Sequence, residues 1–130
     1  PCAFRTVTLD NSVLYIESQR VTEINADTGG VPFQQYAEDF LRERLPIQVT
    51  AQLMARFQLP QAQAASVAPY VVDALVANYA GDEIITPQVQ GTIDYFEGNP
   101  EPMHTLGTML WGIWTDLAPG DSQLAVPLAN

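Results

Sequence analysis

Residues Phe4 to Leu9 are rich in β-branched side chains and alternate, with Arg5, Val7 and Leu9 on one face and Phe4, Thr6 and Thr8 on the other. A period of two residues is the mark of a strand. Asp10-Asn11 follows, a pair that tolerates left-handed backbone angles and so suits a tight turn, and a second strand-like run covers Val13 to Ser18. Together these runs predict an antiparallel hairpin. A two-stranded hairpin is marginal in water and needs further strands or a helix to cover it. Downstream, only Leu124, Val126 and Leu128 repeat the alternation. Any fold proposed for this chain must therefore say what the hairpin packs against.

The rest of the sequence has a different period. Asn25 to Gly30, with Asn, Asp, Thr and two glycines, reads as a loop. From Pro32 the apolar residues fall at helical spacing. Phe33, Tyr36, Phe40 and Leu41 predict a first helix that Leu45-Pro46 stops, because proline disfavours helical angles in the residue before it. Ile47, Leu53, Met54 and Phe57 predict a second, ending near Leu59-Pro60. A third spans Gln61 to Ala80 through Val67, Val71, Ala74, Leu75 and Tyr79, with a kink or break near Ala65 to Ala68 ahead of Pro69, and Gly81 as its cap. Thr86 as N-cap and Pro87 at the first helical position open a fourth, with Val89, Ile93 and Phe96 on its face and Gly98 at its end. Met103, Leu106, Leu110, Ile113, Trp114 and Leu117 mark a fifth, from about Pro102 to Leu117, which Pro119-Gly120-Asp121 ends.

The expected fold is thus mainly α within the α+β class: an N-terminal β-hairpin followed by about five packed helices. The expected organisation is a hairpin over residues 1–24, a linker over 25–31 and a helical domain over 32–130. No internal repeat of fixed period is found.

With 130 residues, 47% hydrophobic and 15% charged, the chain has the composition of one globular domain. Fifteen carboxylates face five arginines, no lysine is present, and the net charge is −10. Such a surface repels a phosphate backbone, which argues against nucleic acid as a partner. The carboxylates are scattered rather than blocked, as on an ordinary hydrated surface. No run of eighteen apolar residues offers a membrane span, and the N-terminal stretch lacks the pattern of a signal peptide.

Few residues are equipped for chemistry. The one cysteine, Cys2, has only Arg5 nearby to lower its pKa, and reads as a packed or incidental thiol. His104 is the only histidine, so any imidazole metal site or Ser-His-Asp triad would have to use it, and no His-Glu-x-x-His spacing surrounds it. In the first turn of a helix it is expected to be exposed or hydrogen-bonded. Gly29-Gly30 lacks the Lys-Ser/Thr of a phosphate loop. Asp82-Glu83 are adjacent carboxylates at a helix exit, where the dipole disfavours negative charge, so they are expected to cap the next segment, to bind an arginine of another domain or to line a cleft. Trp111, Trp114, Tyr95 and Phe96 read as core. Pro1 offers a general base of the tautomerase kind, but that superfamily continues into a β-α-β pattern with basic residues, unlike the successive helices here. No catalytic, cofactor-binding or metal-ligating residue is therefore assigned.

Two stretches carry a resemblance. Pro1-Cys2-Ala3-Phe4-Arg5-Thr6-Val7-Thr8-Leu9 and Leu14-Tyr15-Ile16-Glu17-Ser18-Gln19-Arg20 resemble the segment after the last metal-binding histidine motif in bacterial calcineurin-like metallophosphoesterases. There a Pro-Cys-x-aromatic-Arg strand completes the catalytic β-sandwich. Tyr79-Ala80-Gly81-Asp82-Glu83 and Leu117-Ala118-Pro119-Gly120-Asp121-Ser122 look like the C-terminal helical extension of some members. The resemblance is fair over the hairpin, looser over the helices, and includes no catalytic motif. The family holds two metals through Asp-x-His, Gly-Asp-x-x-Asp, Gly-Asn-His-Asp/Glu and Gly-His-x-His, none of which occurs here. A two-metal site needs more imidazoles than one histidine supplies.

The resemblance implies a C-terminal accessory domain of a metal-dependent phosphoesterase, packing on or covering the catalytic domain and not catalytic by itself. Its partner would be that domain of its own chain, N-terminal to Pro1, which would hold the divalent metal pair; no cofactor is expected in the present residues. The alternatives are a free-standing helical interaction module and, third, a tautomerase-like enzyme using Pro1.

Overall fold

The computed structural model describes residues 3–115 and 123–128. Two strands come first, β1 (Ala3–Asp10) and β2 (Val13–Arg20), then four helices, α1 (Phe33–Phe57), α2 (Gln61–Ala80), α3 (Pro87–Glu97) and α4 (Met103–Trp114), and finally a strand β3 (Gln123–Pro127). The hairpin is as expected, but its turn is displaced by one residue. Asn11 and Ser12, not Asp10 and Asn11, occupy the loop, with φ of 46° and 66°. Positive φ at both central residues matches the twist of the flanking strands. The alternating residues near the C-terminus do form a strand: β3 pairs antiparallel with β2, giving a three-stranded sheet in the order β1-β2-β3.

Four helices replace the expected five. α1 runs unbroken for 25 residues through Pro46, so the stop at Leu45-Pro46 does not occur. An interior proline costs a helix about 3 kcal/mol through its missing N–H and its clash with the previous turn. Against that, Ala37, Leu41, Leu45, Val49 and Leu53 continue at four-residue spacing across the proline, and three of them are fully buried. Burying one such aliphatic side chain stabilises by about 1.5–3 kcal/mol, so a continuous stripe outweighs the local defect. The break near Ala65 to Ala68 is likewise absent: α2 is one helix containing Pro69. Its buried residues, including Ala64, Val67, Val71 and Ala74, lie on both sides of the proline.

The stripe chosen for α1 is also corrected. Tyr36 and Phe40 are exposed, and Ile47, expected on the buried face of the next helix, is 77% exposed. Large side chains marked the wrong face because α1 meets α2 through smaller ones.

The helix ends follow local rules. α1 stops at Gln58, which has φ 55°. α2 closes in a Schellman motif, with the Gly81 amide donating to the Asn78 carbonyl at 3.1 Å and the Asp82 amide to the Ala77 carbonyl at 3.0 Å. Gly81 sits at φ +68°, where a side chain is strained. Thr86 accepts from the Val89 amide at 3.2 Å as N-cap of α3, ahead of Pro87.

The core is built by the helices, with Leu59 added from the connection between α1 and α2. Phe96, Ile93, Leu106 and Leu110 are its largest fully buried side chains, with Tyr70 edge-on to Phe96 at 5.5 Å between ring centroids. α1 packs on α2, α2 on α4, and α3 on α4. Gly107 of α4 lies so close to α3 that an added Cβ would stand 2.8 Å from the Glu97 backbone nitrogen. Arg42 of α1 pairs with Asp73 of α2 and with Glu38 at 3.0 Å, and these carboxylates raise its pKa further, Asp73 foremost. Of the expected aromatic core, Phe96 is buried and Trp114 half-buried, whereas Tyr95 and Trp111 are exposed. Leu117 and the turn at Pro119-Gly120-Asp121 lie outside the described residues, as do Pro1 and Cys2.

Candidate functional site

Strand pairing sorts the sheet residues onto two faces, because directly opposed residues of antiparallel strands project to the same side. Val7 opposes Ile16, which opposes Leu124; Leu9 opposes Leu14, which opposes Val126. One face therefore carries two adjacent rows of aliphatic side chains spanning all three strands. The other carries Thr8, Tyr15 and Ala125 in one row and Thr6 and Glu17 in the next. This is the pattern of a sheet with one face for a core and one for water.

No core covers the aliphatic face. Among the described residues, no strand residue is buried. Val7 is 58% and Leu9 63% exposed, while Leu14, Ile16, Leu124 and Val126 are half-buried by one another and by the sheet. Among the described residues, no helix packs on a strand. Six neighbouring aliphatic side chains, two exposed and four half-buried, form a contiguous apolar patch of the kind that generally marks a contact surface.

The sheet is instead fastened to the helices at one end, by polar groups. The Arg20 guanidinium, at the end of β2, pairs with the Asp82 carboxylate just past α2. The Gln34 side-chain amide, in the first turn of α1, donates to the Val21 carbonyl. Between sheet and helix lies a cleft of about 320 Å³, with Arg5, Ser18 and Arg20 on the sheet side and Asn78, Tyr79 and Gly81 on the other. The loop from the sheet to α1 is shaped by its own hydrogen bonds: the Gly29 amide donates to the Asp27 carboxylate at 2.8 Å, and the Thr28 hydroxyl to the Val31 carbonyl at 2.7 Å.

The residues singled out for possible chemistry are thereby placed. Asp82 pairs with Arg20 of this chain's own sheet, and Glu83 accepts from the Asn78 side-chain amide at 2.8 Å. His104 is exposed, with Nδ1 2.8 Å from the Glu97 carbonyl, so it clasps the start of α4 to the end of α3. It lies far along the chain from Asp82 and Glu83, and the structure gives it no contact with them. Among the described residues, no three His, Cys, Asp or Glu side chains converge on a point where a metal could sit. No described helix is long and apolar enough to cross a membrane. Arg20 as the sheet's tether was not foreseen; nothing in its sequence neighbourhood distinguishes it from a solvated arginine.

Comparison with family models, with curated proteins and with solved structures returned no match.

Proposed function

We propose that this chain is the C-terminal accessory portion of a metal-dependent phosphoesterase, its sheet completing the catalytic β-sandwich and its helices packing beside it. The observation that carries the reading is the aliphatic face of Val7, Leu9, Leu14, Ile16, Leu124 and Val126, left without cover among the described residues. In a β-sandwich such a face lies about 10 Å from the inner face of a second sheet, and the two sets of side chains interdigitate. The stretches that resemble the phosphoesterase segment coincide with β1 and β2, so the resemblance and the unmet packing fall on the same element. In this role the chain contributes packing, and the metal ligands belong to the remainder of the enzyme. A small three-stranded sheet held by polar contacts at one corner is suited to docking without disturbing a helical core that is complete in itself.

The test has two arms. The coding sequence upstream of Pro1 is expected to contain the metal-ligand motifs of the family; a start codon directly before Pro1, or an unrelated domain, would overturn the proposal and favour a free-standing interaction module. The purified 130-residue chain, given manganese and a generic phosphodiester, is expected to show no turnover, whereas the full-length gene product hydrolyses it. Robust hydrolysis by the chain alone would also overturn the reading.

A further inference from the structure

A second apolar surface, without cover among the described residues, lies on the helical side and shares Tyr79 with the cleft beside the sheet. α1 and α4 both pack on α2 but not on each other, so a slot runs along α2 between them. Its α1 wall is the row Leu45, Val49, Leu53 and Phe57, each four residues from the next. Its floor is Val71, Leu75 and Tyr79 of α2, again at four-residue spacing, and Met109 and Ile113 of α4 form the opposite wall. Of these i, i+4 ridges, Val49, Leu53 and Val71 are buried at the bottom of one space of about 310 Å³, and the half-buried Leu45, Phe57, Leu75, Met109 and Ile113 with the exposed Tyr79 form its accessible apolar lining. Ridges of that kind accept the ridge of another helix. The α1 row runs twelve residue steps from Leu45 to Phe57, about 18 Å at the helical rise, or somewhat over three turns of an occupant.

The charge around this slot is opposite to that of the molecule. Among the described residues, no carboxylate lines the slot. Its polar rim is Gln48, Gln52 and Arg56, a further row at four-residue spacing on α1. Arg56 is exposed and makes no ion pair or side-chain hydrogen bond among the described residues, while Arg20 and Arg42 are both engaged with carboxylates. Among the described residues the slot opens to solvent at the exposed Gln52, Arg56 and Tyr79, which suits a helix lying in a groove rather than an enclosed acyl chain.

We infer that this groove binds an amphipathic helix of a partner polypeptide, its apolar i, i+4 row seated between α1 and α4 and an acidic side chain on its flank meeting Arg56. Recognition by the helix-in-groove mode takes its affinity from the apolar row and its orientation from the flanking charge.

The experiment uses the 130-residue chain and two synthetic eighteen-residue helical peptides with the same leucine row, one flanked by Glu and one by Lys at the position facing Arg56. Titrations followed by methyl NMR at Met109 and Ile113 are expected to show saturable binding, with the Glu peptide favoured by about two- to fivefold, the range of one exposed ion pair. Arg56→Glu reverses the preference. Tyr79→Glu, at an exposed position on the floor's edge, weakens both peptides at least tenfold while the free protein keeps its helical circular dichroism. Equal affinity for the two peptides, an unchanged preference in Arg56→Glu, or shifts confined to the sheet would overturn the inference. Binding of dodecanoate at Met109 and Ile113 with neither peptide bound would overturn it as well, by assigning the groove to an acyl chain.

Discussion

The carboxylate of Asp82, whose own amide closes the Schellman turn of α2, pairs with the guanidinium of Arg20 at the end of β2, and this couples the sheet to the helical body. Both side chains are about half exposed. Such pairs contribute about 0–1 kcal/mol. Arg20→Gln or Asp82→Asn is therefore expected to leave thermal stability within about 1 kcal/mol of the parent, yet to speed amide exchange across β1 and β2, because among the described residues no helix packs on a strand. A loss of several kcal/mol would mean that the sheet and helices share more packing than the structure contains.

Two glycines of α4 make opposite predictions. A methyl at Gly107 would meet Glu97 Cγ at 2.6 Å and the Glu97 backbone nitrogen at 2.8 Å, so α3 and α4 must separate. Gly107→Ala is expected to destabilise by about 1–3 kcal/mol, as overpacking does. Gly112 has nothing within 4 Å of the same position, and Gly112→Ala is expected to stabilise by about 0.5–1 kcal/mol through helix propensity. Urea denaturation of both variants checks the signs.

Helix termini supply the next expectation. Thr86→Ala removes the acceptor of the Val89 amide and should cost about 1 kcal/mol. Gly81→Ala places a side chain at φ +68° and should cost about 1–2 kcal/mol with no steric clash at all. If either variant is neutral in thermal denaturation, the corresponding cap is not formed in solution.

The exposed sheet face predicts an asymmetry between contexts. Val7→Thr with Leu9→Thr puts a β-branched strand former at both positions and should change the stability of the isolated chain by no more than about 0.5 kcal/mol, as surface substitutions do. The same pair should sharply lower the binding of a hydrophobic dye such as ANS. In the full-length protein, where both side chains would be buried, the double substitution should cost about 2 kcal/mol or more. Denaturation of both forms separates these outcomes.

The hairpin, the Thr86-Pro87 start of α3 and the Gly81 and Gly98 helix ends were legible in the sequence because each rests on contacts within a few residues. Pro46 and Pro69 misled for the same reason. Their local cost is real, but the rows Leu41, Leu45, Val49 and Val67, Val71, Ala74 pack across them, and that gain comes from residues distant in sequence. Tyr36, Phe40 and Ile47 marked the wrong face of α1, since hydrophobic spacing does not say which stripe meets α2. The strand at Gln123–Pro127 was only faintly visible: five residues of weak alternation acquire meaning through pairing with β2. The apolar character of the sheet face was readable in the alternation of Arg5, Val7 and Leu9, while its lack of cover was not, because cover depends on where the helices go. The slot beside Arg56 had no sequence signal, being assembled from three helices.

Amide hydrogen exchange of β1, β2 and β3, measured in the isolated chain and in the full-length gene product, tests most directly whether this sheet belongs to a larger sandwich. Exchange is expected to be fast in the isolated chain and slowed at least a hundredfold across all three strands in the full-length protein, with α2 and α4 little changed. Equal exchange of the strands in the two forms would contradict it.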